Sequence, residues 1–191
     1  MKKLLLIFTV AVLIHPFAQG QTAKSDEQKS NSKAIEFLQS NGTFIIKEFY
    51  DLPKVKTLEC QVLILTDIVN KKKMGCLRLE TVHFSSYSKS ADTYVGTLDF
   101  DELDACIQSL TYIKDNLLPS MPTVYTEAEY KTLDNVKLGA FYGSDKWETF
   151  VYTKGYTSRS AVFFDSASIE LLISVMNQAK QIISEKVKPI L

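Results

Sequence analysis

Between Ala91 and Leu118 the apolar positions change period, and that change predicts an architecture. Tyr94 to Leu98 is rich in β-branched and aromatic residues around a lone Gly96, the composition of a strand. From Leu103 onward the apolar residues fall at i, i+3, i+4 and i+7: Leu103, Cys106, Ile107, Leu110, Ile113 and Leu117 make one helical stripe. Asp99 stands three residues before Glu102, the spacing of a capping box, and Asp101 and Glu102 place negative charge at the positive end of the helix. Pro119 ends the pattern. The whole pattern returns after a shift of 66 residues, from Asp99 to Asp165. The stripe becomes Ile169, Leu172, Ile173, Met176, Ala179 and Ile183, all still apolar, behind the strand Ser160 to Phe164. This predicts a repeat with an Asp N-cap in each copy.

Upstream of each copy the period is that of strands. Phe44 to Tyr50 alternates imperfectly, and Leu52-Pro53 breaks it. Leu58 to Val69 is apolar on both faces, with Cys60, Val62, Ile64 and Ile68 on one and Leu63, Leu65 and Val69 on the other. Such a strand is central and must be covered twice. Asn70 to Lys73 reads as a turn, Met74 to Val82 as the returning strand, and Phe84 to Ser90 as a Ser/Tyr-rich loop. In the second half the expected strands are Thr123 to Leu133, Val136 to Tyr142 and Lys146 to Thr153, with turns at Gly143-Ser144-Asp145 and Lys154-Gly155-Tyr156. The predicted fold is therefore α+β: two antiparallel four-stranded sheets, each followed by one amphipathic helix (ββββα-ββββα), in a single domain. Residues 39–191 form it, with repeat 1 at about 43–118 and repeat 2 at about 123–187. Each helix is expected to lay its stripe on its own sheet.

The N-terminal 38 residues follow a different pattern. Lys2 and Lys3 precede the apolar run Leu4 to Ile14, and Ala18-Gln19-Gly20 fits a small-x-small cleavage site, so residues 1–20 read as a signal peptide. The apolar run is short for a membrane span, and no cysteine follows it to carry a lipoprotein anchor. The implied destination is export to the periplasm or beyond, of bacterial type. Residues 21–38 are polar and charged without periodicity and read as a disordered tether, with a short helix from about Lys33 to Gln39.

Charge and cysteine content narrow the chemistry. Lys plus Arg and Asp plus Glu both number 22, and cleavage at residue 20 removes two lysines, which leaves no positive field to gather nucleic acid. Three cysteines, Cys60, Cys76 and Cys106, are an odd set and no disulfide framework. With Asn70 to Lys73 as the turn, Val69 faces Met74 and Cys76 faces Asp67, so Cys60 and Cys76 do not meet and the thiols are expected free and buried.

Candidate catalytic groups are few. His83 is the one histidine left after cleavage, at a strand end, and any Ser-His-Asp or Cys-His arrangement has to use it. Asp99, Asp101, Glu102 and Asp104 are crowded, but capping explains them and the calcium-loop glycine is missing. No cofactor fingerprint, phosphate loop or metal-ligand spacing is present in the sequence, so no catalytic or metal residue is assigned. The better candidate is the aromatic group Phe141, Tyr142, Trp147, Phe150, Tyr152 and Tyr156. Trp147, Thr149 and Val151 share one strand face; Glu148, Phe150 and Tyr152 share the other. Trp147, Tyr152, Lys154 and Tyr156 are the candidate ligand-binding residues, for a protein, peptide or glycan partner.

The element order resembles the PC4/Whirly class of single-stranded-nucleic-acid-binding folds, in which a ββββα unit occurs once or twice per chain. The residues that carry the resemblance are the two strand–Asp–helix joints, TYVGTLDFDELDACI and SAVFFDSASIELLI. It implies the fold, and an alternative function in binding single strands. The lysine-rich strand motif of Whirly proteins has no counterpart here, since Lys71, Lys72 and Lys73 fall in a turn. The expectation is thus an exported, non-enzymatic binding or structural module, compatible with homo-oligomers and without a membrane span after cleavage. A nucleic-acid binder and a hydrolase built on His83 are the alternatives.

Overall fold

The computed structural model describes residues 31–85 and 90–188; the expected signal peptide and most of the expected tether lie outside them. The first sheet runs β1 (Ile45–Asp51), β2 (Glu59–Asp67), β3 (Lys72–Phe84), β4 (Ala91–Asp99), and the second β5 (Thr126–Lys131), β6 (Lys137–Gly143), β7 (Lys146–Tyr152), β8 (Ala161–Phe164). Both are antiparallel meanders in chain order. A short helix α1 (Lys33–Leu38) precedes them, α2 (Leu103–Tyr112) follows the first sheet, and α3 (Ser166–Lys186) follows the second. The predicted ββββα-ββββα order is the observed one. No helix of the described residues is long and apolar enough to cross a membrane.

Both stripes face inward. Leu103, Cys106, Leu110 and Ile113 of the first are buried, as are Ile169, Leu172, Met176, Ala179 and Ile183 of the second, and they join one core with the inner faces of both sheets. The two copies differ at their ends. α3 is a continuous helix of 21 residues. α2 starts as a 3-10 turn (Phe100–Glu102) and ends as a π-helical turn (Ile113–Leu117), in which the Leu118 N–H donates to the Ile113 carbonyl at 2.9 Å.

The helices do not each cover their own sheet. α3 packs chiefly on β2 and β3 of the first sheet and along α2, and touches β7 and β8 more lightly. Ile183 of α3 and Val187 just after it flank Met74 and Gly75 of β3. α2, after the first sheet, faces Ala128 and Tyr130 of β5 across a groove. A 21-residue helix of about 30 Å is long enough to bridge both sheets. The two sheets also approach directly. A Cβ on Gly96 of β4 would stand 2.3 Å from the Thr153 carbonyl oxygen, so only glycine fits there.

The β2–β3 turn comes two residues earlier than the apolar pattern implied. Leu65 pairs with Met74 and Asp67 with Lys72, so Cys76 lies opposite Leu63, not Asp67. The cause is local: the Asp67 carboxylate accepts from the Val69 and Asn70 amides at 3.0 Å and from the Asn70 side-chain amide at 2.7 Å, and Lys71 takes the left-handed conformation. β2 therefore stops at Asp67, and Ile68 and Val69 are exposed in the turn. All three cysteines are free and buried, as expected, and burial pushes each thiol up to about 12.

The outer face of β2 is covered from an unexpected direction. Leu63, Leu65 and Cys76 are buried beneath Ala34, Phe37 and Leu38 of α1. The short helix is present, but it is docked and not part of a tether. Asp99 holds it: the fully buried carboxylate accepts from Ser32 Oγ at 2.9 Å, the Lys33 amide at 2.6 Å and the Ala34 amide at 3.0 Å. Asp99 thus serves two helix starts. Its own amide donates to Glu102 Oε2 at 3.0 Å within the predicted box, while its side chain caps α1. Asp165 is the plainer cap, its Oδ1 accepting from the Ser168 amide at 3.0 Å.

Two outcomes follow. Asp165→Asn should leave stability near wild type, because asparagine caps as well as aspartate. Asp99→Asn should cost about 1–3 kcal/mol, because an amide turned toward three donors leaves buried groups unpaired; urea unfolding of the two variants measures the contrast. The second outcome concerns pH. The Asn70 side chain and the backbone amides hold Asp67 below its ordinary 3.8, so its contribution is present above that value and lost as pH falls through the lower folded one. Asp67→Asn should flatten the acid limb of a stability–pH curve. Glu102 has the opposite sign: burial raises it above 4.5, and its term is lost as pH rises.

Candidate functional site

Strand pairing sorts the aromatic residues onto two faces. Tyr142 opposite Trp147, Ala140 opposite Thr149 and Leu138 opposite Val151 form the inner face of the second sheet. Phe141 opposite Glu148, Gly139 opposite Phe150, and Phe150 opposite Phe163 form the outer face. The helices pack on the inner side, and among the described residues no element covers the outer one.

The outer face is an aromatic surface. Phe141 lies 6.3 Å from Phe150 and edge-on to Phe163 at the same centroid distance, and Tyr152 packs edge-on to both Phe150 and Phe163. Tyr125 stacks on Phe141 at 6.3 Å and 28°. Phe150 is buried by its neighbours, while Phe163 is 46% and Tyr125 66% exposed. Gly139 makes the packing feasible: a Cβ there would stand 2.1 Å from the Ala128 carbonyl oxygen and 2.9 Å from the Phe150 ring. The charged members of the face on β5 to β7 are three carboxylates, Glu127, Glu129 and Glu148, and three lysines, Lys131, Lys137 and Lys146. Glu127 accepts from the Tyr125 hydroxyl at 2.8 Å, Glu129 is paired with Lys137 at 2.9 Å, and Glu148 is paired with Lys146. The Glu127 hydrogen bond raises the Tyr125 pKa and fixes that ring.

The outer face continues into a groove of about 750 Å³ at the end of the β6–β7 hairpin, lined by Thr123, Tyr125, Phe141, Ser144, Asp145 and Glu148 among others. Ser144 and Asp145 both have positive φ, 52° and 61°, the conformation of a type I′ turn.

The four residues singled out from the sequence do not assemble. Trp147 is half-buried on the inner face, and its Nε1–H donates to the Ser120 carbonyl at 2.8 Å, which pins the α2–β5 connection. Tyr152 belongs to the outer aromatic face. Lys154 is committed elsewhere: its ammonium lies 3.1 Å from both oxygens of the buried Asp134, whose Oδ2 also accepts from the Thr97 amide at 2.9 Å. Tyr156 is 70% exposed in a turn. Sequence reading missed Tyr125 and Phe163. Phe163 adjoins Phe164 in a short strand, and only pairing tells which of two adjacent phenylalanines points out.

The other candidates are placed as follows. His83 is half-buried at the end of β3, opposite Asp92, whose carboxylate lies 3.6 Å from Arg159. Among the described residues no group of three His, Cys, Asp or Glu side chains is positioned to hold a metal ion. No protein-family model, no curated protein and no solved structure matches the chain, so the site is read from its own geometry and the PC4/Whirly resemblance rests on element order.

Gly139→Ala is the test of how the face is built. It should destabilise the fold by about 1–3 kcal/mol, the usual cost of overpacking, and should alter the near-ultraviolet circular dichroism of the aromatic cluster. An unchanged melting temperature would show that the strand can shift to make room.

Proposed function

We propose that the protein is an exported, non-enzymatic binding module of the periplasm or the cell exterior, and that its recognition surface is the outer face of the second sheet. One observation carries this reading: five aromatic side chains share a sheet face that no described element covers. The cluster leaves Phe163 and Tyr125 exposed at its edge, and exposed aromatic surface is costly in water. The export half of the reading rests on the basic start, apolar run and cleavage pattern of residues 1–20.

Binding of single-stranded nucleic acid is the second reading, since the same rings could stack bases. The face carries no net positive charge to favour it, with three lysines against three glutamates. Glu127, Glu129 and Glu148 would meet phosphates there, and of the three lysines Lys137 and Lys146 are already paired with Glu129 and Glu148.

Native mass spectrometry of the mature protein isolated from its own host tests the reading. A non-covalent ligand is expected on the wild type and lost from Phe163→Ala, with a melting temperature close to wild type. A ligand retained by that variant, or a turnover abolished by His83→Ala, would count against it. Tight oligothymidylate binding with a steep salt dependence would favour the nucleic-acid reading.

A further inference from the structure

We propose that the groove at the β6–β7 hairpin takes a neutral sugar chain. The inference rests on the outer face being the recognition surface and adds the class of ligand. Tyr125 is its centre. The ring is tied at its hydroxyl to Glu127 at 2.8 Å, backed by Phe141, and two-thirds exposed. A ring fixed at its tip and backed on one side presents a rigid apolar platform. The C–H face of a pyranose is the flat, uncharged surface that such a platform stacks.

The groove's polar groups match the rest of a sugar. Thr123 and Ser144 carry hydroxyls, and Asp145 carries a carboxylate that accepts hydrogen bonds from hydroxyl groups. The type I′ turn fixes the backbone that carries Ser144 and Asp145 beside the groove. Charge argues against other occupants. Lys146 is the sole cation in the lining, and Glu148 engages it. A polyanion would therefore meet Asp145 without compensation. A purely apolar ligand would strip water from the acceptors and return no hydrogen bonds. The volume of about 750 Å³ lies within the usual range for ligand sites.

Calorimetric titration of the full mature chain with cello-, xylo-, manno- and chito-oligosaccharides tests the inference. At least one series should bind. Tyr125→Ala should weaken that binding by about tenfold, the upper end of what a lost aromatic stack accounts for. Tyr125→Phe keeps the ring but loses its tie to Glu127, so its affinity should fall between those of wild type and Tyr125→Ala. Asp145→Asn tolerates the left-handed turn and should weaken binding, because one carboxylate acceptor oxygen becomes an N–H donor. Failure of every series at millimolar concentration, or affinity indifferent to Tyr125→Ala, would overturn the sugar inference. If the sugars fail while oligothymidylate binds and loses that binding in Phe163→Ala, the surface reading survives and the ligand class falls. If every ligand tested is indifferent to both variants, both readings fall.

Discussion

The structure depends on what happens at the end of β4, where three buried carboxylates meet backbone amides. Asp99 takes the first amides of α1, Glu102 takes the Leu133 amide at 2.7 Å, and Asp134 takes the Thr97 amide and the Lys154 ammonium. Thr97 and Asp99 lie on one edge strand, while Leu133 and Asp134 lie in the connection between β5 and β6. These bonds join the two halves and the N-terminal helix at a single seam. A carboxylate without partners could not be buried there, whereas one with two or three donors can. The seam also covers the β4 edge at Thr97, whose amide and carbonyl are taken by Asp134 and Thr132 instead of facing other chains.

The architecture was legible because it is written in local signals. Period changes marked the strands and helices, and Asp99 and Asp165 marked both helix starts. What stayed hidden depends on contacts between residues distant in sequence. Asp99 looked like an ordinary cap because its spacing to Glu102 accounts for one box; that its side chain reaches residues 32–34 is a tertiary fact. The β2–β3 register moved because Asp67 builds its own turn, a signal the apolar pattern cannot carry. The crossing of α3 was also invisible, since an apolar stripe says which side of a helix is buried and not against what.

The same limit explains the site. Alternation along β7 correctly set Trp147 apart from Tyr152, but it could not say which face the helices cover. Lys154 looked like a free turn lysine beside aromatic residues, and its buried partner Asp134 lies 20 residues earlier. Tyr125 sits just outside β5 and gains its position from Glu127 and Phe141. The proposed ligand surface, made of residues from four strands and a flanking loop, has no sequence motif, because its spacing is set by pairing register.

The crossing of α3 has a consequence for the order in which the protein can fold. The inner face of β2 and β3, made early in synthesis, is closed by the last helix of the chain. While the ribosome is still extending the second sheet, the first has half its cover missing and its long-range contacts unmade. Lasting tertiary structure therefore waits until residues 166–186 have emerged. A nascent chain that cannot lock its first sheet stays threadable for longer, which would suit the proposed export, since a translocation pore admits only unfolded polypeptide. It also leaves apolar strands open in that interval, so the chain should depend on holding chaperones more than its modest length suggests.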